Sequence, residues 1–230
     1  MDRRRATRRK PHCFATLAEM ALEIETSRGP GRAHVQPVVD PVALLVLGHG
    51  AGGGVGAADL TAAADAARSV GLAVALVEQP YRVAGRRSQP PARELDAAWI
   101  EIVGQLRLGE LAGLPLVAGG RSAGARVACR TSVETAAVAV LCLAFPLHPP
   151  GRADDPAKSR LAELEAVSVP TLVLQGERDP FGMPPTGPRR TVIRLPGDHS
   201  LRNTAPIAEA VGQWLRAQFA APSTGTRRSR

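Results

Sequence analysis

Residues 114–130 read LPLVAGGRSAGARVACR: an apolar run, the pentapeptide Gly120-Arg121-Ser122-Ala123-Gly124, and a helix-like stretch. This order of strand, G-x-S-x-G and helix is the pattern of a nucleophile elbow, in which a serine sits on a sharp turn with its hydroxyl directed away from the sheet. We expect glycine at 120 and 124 because a side chain there would collide where strand and helix cross closely. The pentapeptide alone is a weak signal, since glycine and serine are common. It gains weight if a base, an acid and an oxyanion hole lie at the ends of other strands.

Hydrophobic patterning around this segment predicts a doubly wound, mostly parallel sheet of the α/β class. Continuous apolar runs, typical of strands buried on both faces, lie at 42–47, 72–77, 116–119, 138–145, 169–175 and 191–195. Helical periodicity predicts helices at 60–69, 92–108, 123–133, 159–166 and 204–219. Alternation at 21–26 and 33–38 predicts an N-terminal antiparallel hairpin. We expect Asp59 to cap the first helix and residues 80–91 to form a loop.

The chain of 230 residues suits a single α/β domain. We predict that this domain covers 13–220, between basic tails at 1–12 and 221–230. The net charge of +8 belongs to the tails, because residues 1–10 carry +5, residues 227–230 carry +3, and 20 basic and 20 acidic residues balance between them. Arginine-rich tails can hold polyanions loosely. We interpret them instead as solvated, disordered ends, and we expect no specific nucleic-acid binding.

Cysteine content and hydropathy indicate the compartment. Cys13, Cys129 and Cys142 have neither the number nor the spacing of a disulfide framework or a metal site. No apolar run approaches the roughly 20 residues of a membrane helix, and the basic N-terminus lacks the apolar core of a signal peptide. We therefore predict a cytoplasmic protein with no membrane span and no metal.

A serine nucleophile needs a base, and the base needs an orienting group. His199 follows the last predicted strand and Asp179 follows the one before it, so the chain order is serine, acid, base. The carboxyl ends of parallel strands meet at one edge of a sheet, which predicts that Ser122, Asp179 and His199 form a catalytic triad. The other candidate acids are Glu177, Asp198, Asp154 and Asp155.

The glycine-rich loop at 48–54 follows the first parallel strand, where one oxyanion donor is expected. We predict that the backbone amides of Ala51 and Ala123 form the oxyanion hole, with Gly52 as the substitute for Ala51. His49 is expected to brace this loop rather than to transfer protons.

The same loop permits a second interpretation, because Gly48-x-Gly50-x-x-Gly53 between a strand and a helix matches a dinucleotide-binding fingerprint. Glu78 ends the next strand, where a ribose-binding acid would lie. It follows Gly48 by 30 positions, however, which is longer than the usual spacing of about 20. This hypothesis also leaves the candidate serine, acid and base without a role.

The chain resembles small α/β-hydrolases, and within that superfamily the dienelactone-hydrolase-like group related to the testis-expressed α/β-hydrolases. The resemblance is carried by LGHGAGG at 47–53, EQPYRVAGRR at 78–87, GGRSAGAR at 119–126, FPLHPPG at 145–151 and QGERDPFG at 175–182. It covers about residues 40–216 and implies the α/β-hydrolase fold with a Ser-His-Asp triad. Dienelactone hydrolases proper use a cysteine nucleophile, so their substrate does not carry over.

The loop at 146–158 is too short for a cap domain, and an open site suits small or exposed esters. Arginines beside one strand end, including Arg82 and Arg87, motivate the hypothesis of an anionic acyl group, with a solvated loop as the alternative. The residues predicted to line the substrate site are Tyr81, Arg86, Phe145 and Phe181.

These features predict a serine hydrolase that cleaves a small carboxylic ester or thioester through an acyl-enzyme intermediate. Its partner would be a small-molecule ester, with no metal or organic cofactor; the sequence identifies no protein partner. The alternative function is a non-catalytic protein-interaction module on the same fold, because some related eukaryotic proteins act as complex subunits and a fold does not fix function.

Overall fold

The computed structural model describes residues 19–152 and 155–219, which form an eight-stranded sheet flanked by helices. The strands are β1 (Met20–Ile24), β2 (Gly31–Gln36), β3 (Ala43–Gly48), β4 (Leu72–Glu78), β5 (Leu116–Arg121), β6 (Ala137–Leu143), β7 (Thr171–Gly176) and β8 (Arg190–Leu195). The helices are α1 (Ala58–Ser69), α2 (Pro80–Val83), α3 (Ala92–Leu106), α4 (Ala123–Arg130), α5 (Leu161–Glu165) and α6 (Ala205–Phe219).

The sheet order is β1-β2-β4-β3-β5-β6-β7-β8. β1 pairs antiparallel with β2, and β2 pairs antiparallel with β4, whereas every pairing from β4 to β8 is parallel. The predicted mostly parallel sheet with an N-terminal antiparallel hairpin is therefore confirmed. Because β3 and β5 are neighbours, the glycine-rich loop after β3 and the elbow after β5 lie at the same edge of the sheet.

Two hydrophobic layers hold the sheet, one on each face. Alternate residues of β3 point to opposite sides, so that Leu44 and Val46 pack with helices α3 and α4 while Leu45 and Leu47 pack with α1 and α6. All six residues of β3 are buried, which explains why the central strands read as continuous apolar runs. The sheet is thus covered on both faces, and the carboxyl ends of its strands remain as the edge where loops carry polar side chains.

Several predicted bounds shift by one or two residues, and three further local predictions differ from the structure. Helix α1 begins after Ala57, and the Asp59 cap is wrong, because Asp59 lies within the first turn and its carboxylate accepts a hydrogen bond from the Arg121 guanidinium instead. The predicted loop at 80–91 begins with the four-residue helix α2, which Pro80 initiates at a position where its missing N–H is not needed. Helix α4 ends at Arg130, three residues earlier than predicted.

The predicted basic tails and the outer limits of the predicted domain lie outside the described residues. Within 19–152 and 155–219, no helix has the length and apolar character that crossing a membrane requires.

Candidate active site

Ser122 occupies the sharp turn between β5 and α4. Its backbone has φ 52° and ψ −107°, a conformation that L-residues rarely adopt and that typically costs about 1–3 kcal/mol. The Ser122 N–H donates to the Leu143 carbonyl of β6 at 2.9 Å, and the Ser122 carbonyl accepts from the Arg126 N–H of α4 at 3.3 Å. These two hydrogen bonds hold the turn from β6 and from α4, and they offset the free-energy cost of the strained Ser122 backbone.

The glycines of the elbow are explained by backbone crowding. A Cβ at Gly120 would lie 2.5 Å from the Gly48 carbonyl oxygen and 2.7 Å from the carbonyl carbon of Gly124. A Cβ at Gly124 would overlap the Gly48 carbonyl group and lie 2.9 Å from the His49 carbonyl oxygen. The steric reason predicted for these glycines is therefore correct, and what a side chain would meet is chiefly the end of β3.

The structure brings Ser122, His199 and Asp179 together. The Oγ of Ser122 lies 3.0 Å from Nε2 of His199, and Nδ1 of His199 lies 2.8 Å from Oδ2 of Asp179. An ionised carboxylate can only accept, so Nδ1 carries the hydrogen and Nε2 is free to accept the hydroxyl proton. The arrangement can therefore remove a proton from Ser122 and stabilise the resulting imidazolium.

Asp179 is held by more than the histidine. Its side chain is 1% exposed, its Oδ1 accepts from the Phe181 N–H at 2.9 Å, and its Oδ2 accepts from the Gln175 side-chain amide at 2.8 Å. The same amide nitrogen lies 3.1 Å from the Phe145 carbonyl oxygen and 2.9 Å from that of Gly182, so its two hydrogens are shared among three acceptors. Gln175 thus fixes the Asp179 carboxylate from the end of β7. No local sequence signal pointed to this contact.

The other candidate acids are placed differently. Asp198 is exposed, and its carboxylate accepts from the backbone and hydroxyl of Ser200. Glu177 is exposed. Asp155 accepts from the Ala157 N–H of a short turn, and Asp154 lies outside the described residues.

The loop after β3 approaches Ser122. A Cβ at Gly50 would lie 3.5 Å from Cβ of Ser122. The Gly50 carbonyl accepts from Nδ1 of His49 at 2.8 Å and from the Gly53 N–H at 3.3 Å. Because C=O and N–H point in opposite directions across a trans peptide, these bonds turn the Ala51 N–H away from His49.

Two side chains fix this loop. Nε2 of His49 accepts from the Gln79 N–H at 3.2 Å, and burial is the main cause that lowers the pKa of His49, so the ring braces the loop as a neutral tautomer. The Tyr81 hydroxyl donates to the Ala51 carbonyl at 3.1 Å, which orients the Gly52 N–H in turn. At the other side of Ser122, Ala123 is the first residue of α4, and its N–H has no acceptor within the helix.

The predicted substrate-lining residues fall into two groups. Phe145 is 0% exposed and Tyr81 is 2% exposed, so the predicted substrate contact of Phe145 is wrong and Tyr81 acts on the loop from the core. The sequence signal failed because both residues follow strands on the face that α3 and α4 cover. Phe181 is partly exposed, with its ring centroid 4.3 Å from that of His199. Arg86 is exposed, and its N–H donates to the Tyr81 carbonyl.

Arg121, next to Ser122 in the chain, and Asp59 were not predicted as part of the site. Arg121 donates from Nε to Oδ2 of Asp59 at 2.8 Å and from Nη2 to the His199 carbonyl at 3.0 Å. Asp59 is 2% exposed, and burial is the main cause that raises its pKa, against the opposing effect of Arg121. The only sequence signal was the arginine inside the G-x-S-x-G pentapeptide.

The acidic residue that the dinucleotide-binding interpretation requires, Glu78, has other partners in the structure. Oε2 of Glu78 lies 3.1 Å from Nε2 of His34 and 3.7 Å from Nη1 of Arg32, both on the neighbouring strand β2. This carboxylate is therefore engaged by side chains of β2. Within the part of the chain that the structure describes, no group of three or more His, Cys, Asp or Glu side chains could hold a metal ion.

Solved structures with the same fold include esterase-like and lid-less hydrolases. An α/β serine hydrolase without a lid from Xanthomonas campestris is 20% identical, with a TM-score of 0.71 and coverage of 91% of this chain and 99% of that one. Est1E from Butyrivibrio proteoclasticus with bound ferulic acid is 14% identical (TM-score 0.73, coverage 87% and 100%). A dienelactone hydrolase from Anabaena variabilis is 15% identical (TM-score 0.69, coverage 88% and 98%). These likenesses show the fold.

The family is shown by the sequence itself. No protein of curated function matched the chain, but the family model described as "Alpha/beta hydrolase domain" matches residues 41–204. This range is more than half of the chain and includes the loop after β3, Ser122 and His199. The chain therefore belongs to the α/β-hydrolase domain family and is a hydrolase.

Proposed function

We propose that the protein is a serine esterase that cleaves a small carboxylic ester or thioester through an acyl-enzyme intermediate. The observation that carries the proposal is the continuous hydrogen-bonded chain from Ser122 Oγ through His199 to Asp179, with contacts of 3.0 Å and 2.8 Å. In this assignment Ser122 is the nucleophile, His199 the general base and acid, and Asp179 the group that orients the imidazole.

The reaction takes two displacements. Ser122 Oγ attacks the acyl carbon while Nε2 of His199 takes the hydroxyl proton, and the carbonyl oxygen becomes an oxyanion. Collapse of the tetrahedral intermediate breaks the bond to the alcohol or thiol, which leaves with the proton from His199. Water then attacks the acyl-serine, giving one proton to His199. The second collapse releases the carboxylic acid and returns that proton to Ser122.

We assign the oxyanion hole to the backbone N–H groups of Ala51 and Ala123. Support comes from the His49 and Gly53 bonds to the Gly50 carbonyl, which turn the Ala51 N–H away from His49, and from the start of α4 at Ala123. Two such donors act on charge that develops only in the transition state, so each contributes about 10²- to 10³-fold to the rate.

The substrate class is a small or exposed ester. Phe181 lies against the His199 ring and remains partly exposed, so it can serve as an apolar wall for the acyl or alcohol group. Arg86 is exposed and available to an anionic acyl group. Equal turnover of neutral and carboxylated esters of the same size would remove the proposed role of Arg86.

The finer family placement and the location are part of the same proposal. The arginine-flanked elbow and the FPLHPP loop at 145–150 support placement near the testis-expressed α/β-hydrolases, beyond the dienelactone-hydrolase-like fold. The cysteine content supports a cytoplasmic location.

The test is covalent labelling with a fluorophosphonate probe, which phosphonylates an activated serine. We expect the wild-type protein to be labelled with one probe and Ser122→Ala to remain unlabelled. Ser168→Ala is the matched control, because Ser168 is exposed and lies before β7 at the opposite edge of the sheet. Absence of labelling in the folded wild-type protein, or labelling that persists in Ser122→Ala, would contradict the proposal and favour the interaction module.

A further inference from the structure

We propose that Arg121 is a positioning residue that couples the loop at 196–204, which carries the base (the base loop), to the loop at 48–54, which carries the oxyanion donor (the oxyanion loop). The inference rests on the proposed function, because it gives Arg121 a role only if Ser122 and His199 react. It depends on a guanidinium that is hydrogen-bonded to two separate segments of the chain and lies close to a third, next to Ser122.

The first contact anchors the guanidinium. Nε of Arg121 donates to Oδ2 of Asp59 at 2.8 Å, and Asp59 is 2% exposed within the first turn of α1. The other carboxylate oxygen of Asp59 accepts from the Leu60 N–H at 2.9 Å. A buried carboxylate with both oxygens engaged holds its partner in one orientation.

The second contact reaches the base. Nη2 of Arg121 donates to the backbone carbonyl of His199 at 3.0 Å, across 78 positions of sequence. His199 lies between β8 and α6 in a segment without regular secondary structure. A bond to the carbonyl of His199 itself restrains the backbone that aims the imidazole at Ser122.

The third relationship is the close approach of Arg121 to Gly50 in the oxyanion loop. A Cβ at Gly50 would be 2.9 Å from Nη1 of Arg121. Nη1 of Arg121 therefore occupies space that a side chain at position 50 would need, and the absence of one at Gly50 makes room for the guanidinium. One planar group thus links α1 to the base loop by hydrogen bonds and lies close to the oxyanion loop, directly before Ser122 in the chain.

This role requires the shape of arginine. A guanidinium presents donors in a fixed plane and can bind Asp59 and the His199 carbonyl at once, whereas a lysine ammonium is a single point of charge on a flexible stem. We therefore expect lysine to keep the ion pair with Asp59 but to lose the bond to His199. A role limited to neutralising Asp59 would be fulfilled by either residue.

The decisive variants separate positioning from stability. Arg121→Lys keeps the charge next to Asp59, and Arg121→Met combined with Asp59→Asn removes both charges, so neither leaves a buried carboxylate unpaired. Steady-state turnover of a small ester is measured at a temperature where circular dichroism shows each variant folded. We expect kcat to fall at least about tenfold in both variants with KM little changed, since misplacement of a catalytic group acts on the chemical step.

The matched control is Arg126→Met, in the same elbow segment. Arg126 is similarly part-buried and pairs with Glu163 through two hydrogen bonds, on the side of α4 that faces α5. A loss of less than tenfold in kcat for the double variant, relative to Arg126→Met, would overturn the inference.

A second measurement does not depend on activity. Amide hydrogen exchange at 196–203 and at 49–56 is expected to quicken in both Arg121 variants and to remain unchanged in Arg126→Met; unchanged exchange in the Arg121 variants would overturn the coupling. If the wild-type protein is not labelled at Ser122, the proposed function fails regardless of these rates. If the wild type is active and the Arg121 variants match the control, only the positioning role fails.

Discussion

The carboxylate of Asp179 accepts a hydrogen bond from Nδ1 of His199 at 2.8 Å, and the same oxygen accepts from the Gln175 amide. Asp179→Asn replaces the acceptor by an amide and removes the charge that stabilises the imidazolium. We expect kcat for a small ester to fall about 10³- to 10⁴-fold in protein that circular dichroism shows to be folded. Asp198→Asn is the control, because Asp198 is adjacent to the base but exposed; a comparable loss there would argue against Asp179 as the orienting acid.

Alanine is expected to lower the free energy of unfolding at an elbow glycine and to raise it at a glycine within helix α3. Gly124→Ala places a methyl group into the Gly48 backbone, so we expect the free energy of unfolding to fall by at least about 2 kcal/mol. Gly104 lies within α3 with nothing within 4 Å of an added Cβ, and Gly104→Ala is expected to raise it by about 0.5–1 kcal/mol. Urea unfolding measures both; a tolerated alanine at 124 would contradict the close crossing.

The two side chains that fix the oxyanion loop are expected to differ in importance. His49 orients the peptide that contains the Ala51 N–H, whereas Tyr81 orients the peptide that contains the Gly52 N–H. If Ala51 is the donor, His49→Gln lowers kcat about tenfold or more and Tyr81→Phe only a few-fold. The reverse order in steady-state kinetics would transfer the donor role to Gly52.

His49 also predicts how stability depends on pH. Burial lowers the pKa of His49 from its ordinary value of 6.5, so below that pH the unfolded chain binds a proton that the folded protein does not. Stability is therefore lost as pH falls through 6.5 towards the folded-state pKa. Between about pH 7.5 and 5.5 we expect the wild type to lose more of its free energy of unfolding than His49→Gln, as measured by urea unfolding. Equal losses would mean that His49 is not buried as a neutral ring.

The paired thiols are expected to be inert in the folded protein. The Sγ atoms of Cys129 and Cys142 lie 3.5 Å apart in the core, and their mutual hydrogen bond, together with burial, raises the pKa of Cys129 well above its ordinary range. In a Cys13→Ser background we expect iodoacetamide to modify neither thiol without denaturant and to leave esterase activity intact. Rapid alkylation with loss of activity would instead indicate a cysteine-dependent reaction.

The order of elements and the serine, acid and base were accessible from the sequence because they depend on local signals. Continuous apolar runs identify strands covered on both faces, and polar residues directly after such strands lie at one edge of a parallel sheet. Ser122, Asp179 and His199 were named on this basis, and the structure places their side chains within hydrogen-bonding distance. Their catalytic roles stay a prediction until the labelling experiment is done.

Only the tertiary structure decided which side chains surround Ser122, His199 and Asp179. Burial of Phe145 follows from the packing of α3 and α4 on one face of the sheet, and no local pattern distinguishes a core phenylalanine after a strand from one that lines a pocket. The Arg121 contacts join residues 62 and 78 positions apart, so they depend on where α1 and the base loop cross the end of β5. Local periodicity determines which face a residue occupies, whereas the crossing of distant elements determines what it touches.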